Sequence, residues 1–135
     1  MANFHEHQRK GAITGCLTGA GCYFFFHFKE KEKNPEKKFN VLELLGCTTL
    51  GGITGAVAGV LPDKLEPASN PNHRKFFHSA IFCFIVSWLT LKIVQKHEAS
   101  LFVKVLALAG LTGCVTHIAL DSKTPKSVPL IPKLD

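Results

Sequence analysis

The last apolar stretch of the chain ends on an imidazole and a carboxylate, in GLTGCVTHIALDSK (110–123). His117 and Asp121 are four residues apart and share one face if the stretch is helical. A nitrogen and an oxygen ligand suit zinc, manganese or iron. A carboxylate at a helix C-terminus also needs a compensating positive charge, which a divalent cation or the following Lys123 and Lys126 would supply. Two interpretations stay open here: half of a metal site, or the solvated end of a helix.

Further candidates lie in LPDK (61–64) and PNHRKFFHSA (71–80). Asp63 follows a proline, where it suits either a ligand or an ordinary turn residue. His73 and His78 are five apart, so they converge only if His73 lies in a loop and His78 on a helix. Arg74 suits the binding of a phosphate, or contact with headgroups.

Four apolar runs must position these side chains, at about 11–28, 41–61, 77–94 and 101–120. Each is close to the roughly 20 residues that cross a bilayer as a helix. The pattern predicts an all-α fold: a small polytopic membrane protein of one domain, residues 1–135, with four transmembrane helices. A soluble bundle with buried helices is the alternative, because the mean hydropathy is only +0.15.

The charge distribution favours a membrane over nucleic acid as the partner. The formal net charge is +6, yet only 19% of residues are charged, and the basic residues flank apolar runs. Such residues typically contact anionic lipid headgroups. The positive-inside rule gives no orientation, because lysines and arginines divide evenly between the two sides.

If all four helices span, the candidate ligands fall on one membrane face. This face receives the residues before the first helix, those between the second and third, and the C-terminal tail. We therefore expect the His and Asp candidates to gather there, while His27 and His97 lie on the other face.

Glycines recur every fourth residue in the first two helices, at Gly11, Gly15 and Gly19 and again at Gly51, Gly55 and Gly59. Such ladders let membrane helices approach closely. They predict that these two helices pack together or mediate self-association, so a homo-oligomer is expected.

The motifs LPD, HRKFFHS and THIALDSKTPKSVPLI resemble, in order and spacing, the YdjM-like family of bacterial inner-membrane proteins. That family is described as LexA-binding and as metal-dependent hydrolases, and is distantly similar to zinc-dependent phospholipase C and P1-type nucleases. The resemblance implies metal ligation or catalysis by His7 (with His5 as the weaker choice), Asp63, His73, His78, His117 and Asp121.

The chain departs from the family pattern at two places. Phe77 stands where the family usually has Thr, and Lys64, Leu65 and Glu66 follow LPD where a second Asp is common. Glu66 is the candidate substitute, and a second metal ion is in doubt.

The resulting expectation is a multi-pass inner-membrane hydrolase that uses a divalent metal, zinc first and manganese or iron next, on a phosphodiester or phospholipid. Asp63, His78 and Arg74 are the expected catalytic residues. The alternative is a small non-enzymatic membrane protein that is oligomeric, either pore-forming or membrane-perturbing, and holds a structural metal. The family resemblance also implies a regulator protein as partner.

Overall fold

The computed structural model describes residues 4–67 and 76–122, and every element within them is helical. The elements are α1 (Phe4–Lys33), α2 (Val41–Ala58), the short α3 (Leu61–Leu65), α4 (Ala80–Gln95) and α5 (Leu101–Asp121). The all-α prediction is confirmed.

Side-chain caps set where three of the helices begin. Asn40 accepts hydrogen bonds from the N–H groups of Leu42 and Glu43 at the start of α2. Ser79 and Ser100 cap α4 and α5 in the same way. These oxygens satisfy N–H groups that have no partner within the helix.

Two predicted boundaries are wrong in a way that matters for the site. The first helix begins at Phe4, not near residue 11, so His7 lies within α1 and does not precede it. The third helix begins at Ala80, not at residue 77, because Ser79 is its cap; His78 therefore lies in the turn before α4. The apolar runs mark buried or lipid-compatible residues, whereas polar residues also propagate a helix.

The glycine ladders of α1 and α2 face each other within the chain. A Cβ built on Gly15 would lie 2.1 Å from the carbonyl oxygen of Gly51, and one on Gly11 would lie 2.4 Å from that of Gly55. The two backbones are therefore in direct contact, as the ladders predicted. The glycine faces of α1 and α2 contact each other within one chain. Self-association of the protein stays a prediction.

α5 packs against α1, α2 and α4. Two threonine pairs join it to α1, with hydroxyl–hydroxyl distances of 3.2 Å for both Thr14–Thr116 and Thr18–Thr112. The pairs run in opposite sequence directions, so α1 and α5 are antiparallel.

Two helices are long and apolar enough to cross a membrane, Val41–Leu65 (α2 continued through α3) and Leu101–Asp121, while the apolar Ala80–Gln95 is shorter. Large apolar side chains point outward, among them Leu42 (80% exposed), Phe84 (74%) and Leu17 (70%). Outward apolar side chains of this kind suit contact with lipid.

Candidate metal centre

Four ligand atoms from three chain segments meet at one end of the helices. They are Asp63 Oδ1 on α3, His78 Nε2 before α4, and His117 Nε2 and Asp121 Oδ2 at the end of α5. All four lie within 4.8 Å of one another. Each of these residues is among the ligands that the sequence predicts.

The spacing of the four atoms suits one ion between them. His78 Nε2 lies 3.2 Å from Asp63 Oδ1 and 3.7 Å from Asp121 Oδ2. His117 Nε2 lies 3.6 Å from each of the same two oxygens. Bonds of about 2.0–2.1 Å in a tetrahedral zinc site separate neighbouring ligand atoms by about 3.3 Å. Small inward shifts would therefore complete such a site.

The His117 ring is oriented for ligation. Its Nδ1–H donates to the carbonyl oxygen of Gly59 at 2.8 Å, which leaves Nε2 as the lone-pair nitrogen. Nε2 is buried and has no hydrogen-bond partner among the described residues. A buried polar atom without a partner is costly, and a cation between it and the two carboxylates would remove that cost.

Glu66 orients His78 from the opposite side of the ring. One Glu66 oxygen lies 2.9 Å from His78 Nδ1, and the other accepts the Phe76 N–H at 2.6 Å. A carboxylate on the second nitrogen of a histidine is the usual support for a metal ligand. Glu66 thus orients the candidate ligand His78. The sequence predicted that Glu66 would replace a carboxylate ligand of the family, and the structure gives it this supporting position.

Burial lowers the pKa of His78. Hydrogen bonds with Asp63 and Glu66 and the charge of Asp121 raise it by more, so the pKa lies above its ordinary value. In the protonated ring both nitrogens would carry protons, and each faces a carboxylate, that of Glu66 or that of Asp63. A metal ion needs the neutral imidazole, so its binding would release the proton from Nε2.

His7 reaches the site from α1 but stands outside the four-atom group. Its Nε2 lies 3.5 Å from the other oxygen of Asp121, Oδ1, and its ring stacks on His117 at 4.0 Å. It is almost fully buried. Its role as a direct ligand stays a prediction, while its contacts position Asp121 and His117.

The remaining candidates divide into two groups. His5 is exposed on α1. His73 and Arg74 lie outside the described residues, so their place relative to the site stays a prediction. The carbonyl of Gly59 was not foreseen, because no side-chain signal in a sequence marks a backbone acceptor.

The family model described as YdjM inner membrane protein matches residues 12–134, nearly the whole chain. The chain belongs to the YdjM inner membrane protein family. No curated protein and no solved structure was found to match it. This YdjM-family chain is thus a membrane protein whose described residues include a His/Asp group able to hold a metal ion.

Proposed function

We propose that this YdjM-family protein is a membrane-bound, metal-dependent hydrolase that cleaves a phosphodiester of a membrane lipid. The observation that carries the proposal is the buried Nε2 of His117, which has no hydrogen-bond partner within residues 4–67 and 76–122 and lies 3.6 Å from both Asp63 Oδ1 and Asp121 Oδ2. Zinc is the first choice of metal for two imidazoles and two carboxylates, with manganese or iron next.

Four membrane crossings, by α1, α2, α4 and α5, are part of the proposal. Support comes from the length of α1, about 45 Å for its 30 residues. The outward apolar side chains of α4, such as Phe84 and Trp88, are further support. The inner membrane is the proposed location, in keeping with the description of the family.

The exposure of the four candidate ligands suggests a different role for Asp63 than for the other three. His78, His117 and Asp121 are buried and would hold the ion rigidly, whereas the Asp63 side chain is 33% exposed. Substrate would therefore approach on the Asp63 side. A divalent ion held there would lower the pKa of a bound water molecule and polarise a phosphoryl oxygen of the substrate. Arg74 is the proposed phosphate-binding residue, as the sequence predicts.

Metal content of the purified protein tests the site. We expect about one zinc, manganese or iron ion per chain in wild type, and its loss in both His117→Ala and Asp63→Asn. His97→Ala, an exposed histidine outside the site, is the control and keeps the metal. Circular dichroism of each variant distinguishes metal loss from unfolding. Equal metal content in wild type and Asp63→Asn, or none in wild type, would overturn the proposed site.

Release of headgroups from vesicles of phosphatidylethanolamine and phosphatidylglycerol tests the reaction. Wild type should hydrolyse a phosphodiester, and a chelator should abolish the activity. Asp63→Asn should lose at least about 100-fold, because a single ligand or catalytic carboxylate commonly contributes that much. A metal-loaded wild type without any phosphodiesterase activity would exclude the hydrolase.

The burial of the ligands favours a second candidate, a non-enzymatic membrane protein with a structural metal. Structural zinc sites use four protein ligands and are closed, and three of these four ligands are buried. In that case metal removal would unfold the protein while metal-loaded protein would show no hydrolysis. The implied regulator partner and self-association stay predictions under both candidates.

A further inference from the structure

A cavity of about 560 Å³ lies at the end of the helices opposite the metal centre. Its walls come from the C-terminal part of α1, the end of α4 and the start of α5. Along α1, Lys29 in the cavity wall is 22 residues from His7 at the metal centre, or about 33 Å. This separation matches the roughly 30 Å thickness of a bilayer hydrocarbon core.

The packing of the helices explains the opening. α5 packs against both α1 and α4 and so lies between them. Because α1 and α5 are antiparallel with Thr18 opposite Thr112, the last turn of α1, ending at Lys33, extends past the start of α5 at Leu101. The space beyond the first turn of α5 is therefore flanked by α1 and α4, and neither helix fills it.

Three lysines line this cavity from two helices. Lys29 and Lys33 are four residues apart on α1 and share one face, and Lys104 enters from α5. In the part of the chain that the structure describes, none of the three forms an ion pair with a carboxylate. Glu30 also lines the cavity, but its carboxylate is paired with Lys37. The cavity lining thus carries three ammonium groups and one carboxylate, and that carboxylate is already paired with a lysine outside the lining.

The wall toward the middle of the helices is aromatic. Phe25 and Phe26 line it, and the Lys104 ammonium lies 4.7 Å from the centroid of the Phe26 ring. The face of the Phe26 ring attracts the ammonium, so this contact holds Lys104 at the cavity wall. Charge at the end of the helices and apolar surface below it match an amphiphile with an anionic head.

We propose that this cavity binds the phosphate group of an anionic phospholipid, with Lys29, Lys33 and Lys104 on the phosphate and the phenylalanines against the adjoining apolar part. Basic pockets between membrane helices bind anionic lipid headgroups by this chemistry. The site does not depend on the metal centre or on hydrolysis. A free phosphate ion offers the same chemistry, so the experiment separates the two sources.

Lipid retained by the purified protein tests the proposal. Protein reconstituted into vesicles of phosphatidylcholine with one tenth phosphatidylglycerol is extracted into mild detergent, and native mass spectrometry reports which lipid stays bound. Wild type should retain phosphatidylglycerol selectively. The triple variant Lys29→Gln, Lys33→Gln, Lys104→Gln should lose affinity by about fivefold for each lysine removed.

The triple variant Lys31→Gln, Lys38→Gln, Lys96→Gln is the matched control. It removes the same charge from exposed lysines near the same end of the helices, and none of the three lines the cavity. Retention should equal that of wild type. An equal loss in both triple variants would mean attraction to the surface charge alone and would overturn the site.

Inorganic phosphate distinguishes the source when it is titrated in detergent both into protein that retains phosphatidylglycerol and into lipid-free protein. Displacement of phosphatidylglycerol only at phosphate concentrations far above those of the lipid supports the lipid. Binding of phosphate that the cavity variant abolishes, with no retained phosphatidylglycerol in wild type, would overturn the lipid as ligand. Metal content of both triple variants should equal that of wild type, which keeps this result separate from the metal centre.

Discussion

Glu66 is the residue that most changes how the candidate centre is understood. Its two oxygens serve two different donors, His78 Nδ1–H and the Phe76 N–H. The first contact fixes the tautomer and direction of the imidazole, and the second fixes the carboxylate itself. The affinity of the candidate centre for a metal ion would therefore depend on a residue that is outside the four-atom group.

Glu66→Gln should weaken zinc binding by about 10–100-fold, the usual effect of losing a supporting partner. Glutamine has one acceptor oxygen, so it cannot serve both donors. Competition with a chromogenic chelator measures the affinity. Glu98→Gln, an exposed glutamate at the other end of the helices, is the control. An unchanged zinc affinity in Glu66→Gln would remove Glu66 from the centre.

The residue types in the sequence were sufficient to nominate the four-atom group. Asp63, His78, His117 and Asp121 all carry metal-ligating atoms next to apolar runs, and all four converge. The supporting atoms were harder to find. Gly59 contributes only a carbonyl oxygen, and its partnership with His117 depends on how α2 and α5 pack.

At the scale of elements, direct backbone contact between α1 and α2 governs the molecule. Gly11, Gly15 and Gly19 of α1 meet α2 so closely that any Cβ would overlap a carbonyl oxygen. In lipid, such contact replaces the hydrophobic driving force with van der Waals packing. The same helices then deliver His7 from α1 and Asp63 beyond α2 to one end.

Gly15→Ala should therefore lower the free energy of unfolding by about 1–3 kcal/mol, the typical cost of overpacking. The new Cβ would lie 2.1 Å from the Gly51 carbonyl oxygen, and a backbone group cannot rotate away. Unfolding by sodium dodecyl sulfate in mixed micelles provides the measurement.

Gly21→Ala is the matched control for this prediction. No atom lies within 4 Å of a Cβ at Gly21, although it is on the same helix. Alanine favours a helix by about 1 kcal/mol over glycine, so this variant should be as stable as wild type or more stable. A Gly15→Ala protein as stable as Gly21→Ala would contradict the observed helix contact.

At the scale of the whole molecule, the candidate metal centre brings together residues that are far apart in the chain. Asp63 follows α2, His78 precedes α4, and His117 and Asp121 end α5. α4 packs mainly on α5. An ion held by these side chains would tie the start of α4 to both of the other segments.

Metal removal should consequently destabilise the protein. Free zinc at about 100 times its dissociation constant adds about 2.7 kcal/mol to the free energy of unfolding when only the folded state binds it. A chelator should lower the free energy of unfolding of wild type by that amount and so lower its midpoint of thermal unfolding, and added zinc should restore both. Asp63→Asn should show no response to either. An unfolding midpoint of wild type that changes neither with chelator nor with added zinc would contradict a metal ion that links these segments.

The sequence by itself determined the all-α class and nominated the candidate ligands, because apolar runs and side-chain chemistry are local properties. It also determined that the glycine faces would pack closely. Only the tertiary structure decided that His7 lies on α1 beside Asp121, that Glu66 supports His78, and that three lysines surround one cavity. These relations depend on helix register and separation. Both are fixed by contacts between residues far apart in the chain, such as Thr14 with Thr116, 102 positions away, and no local pattern specifies such contacts.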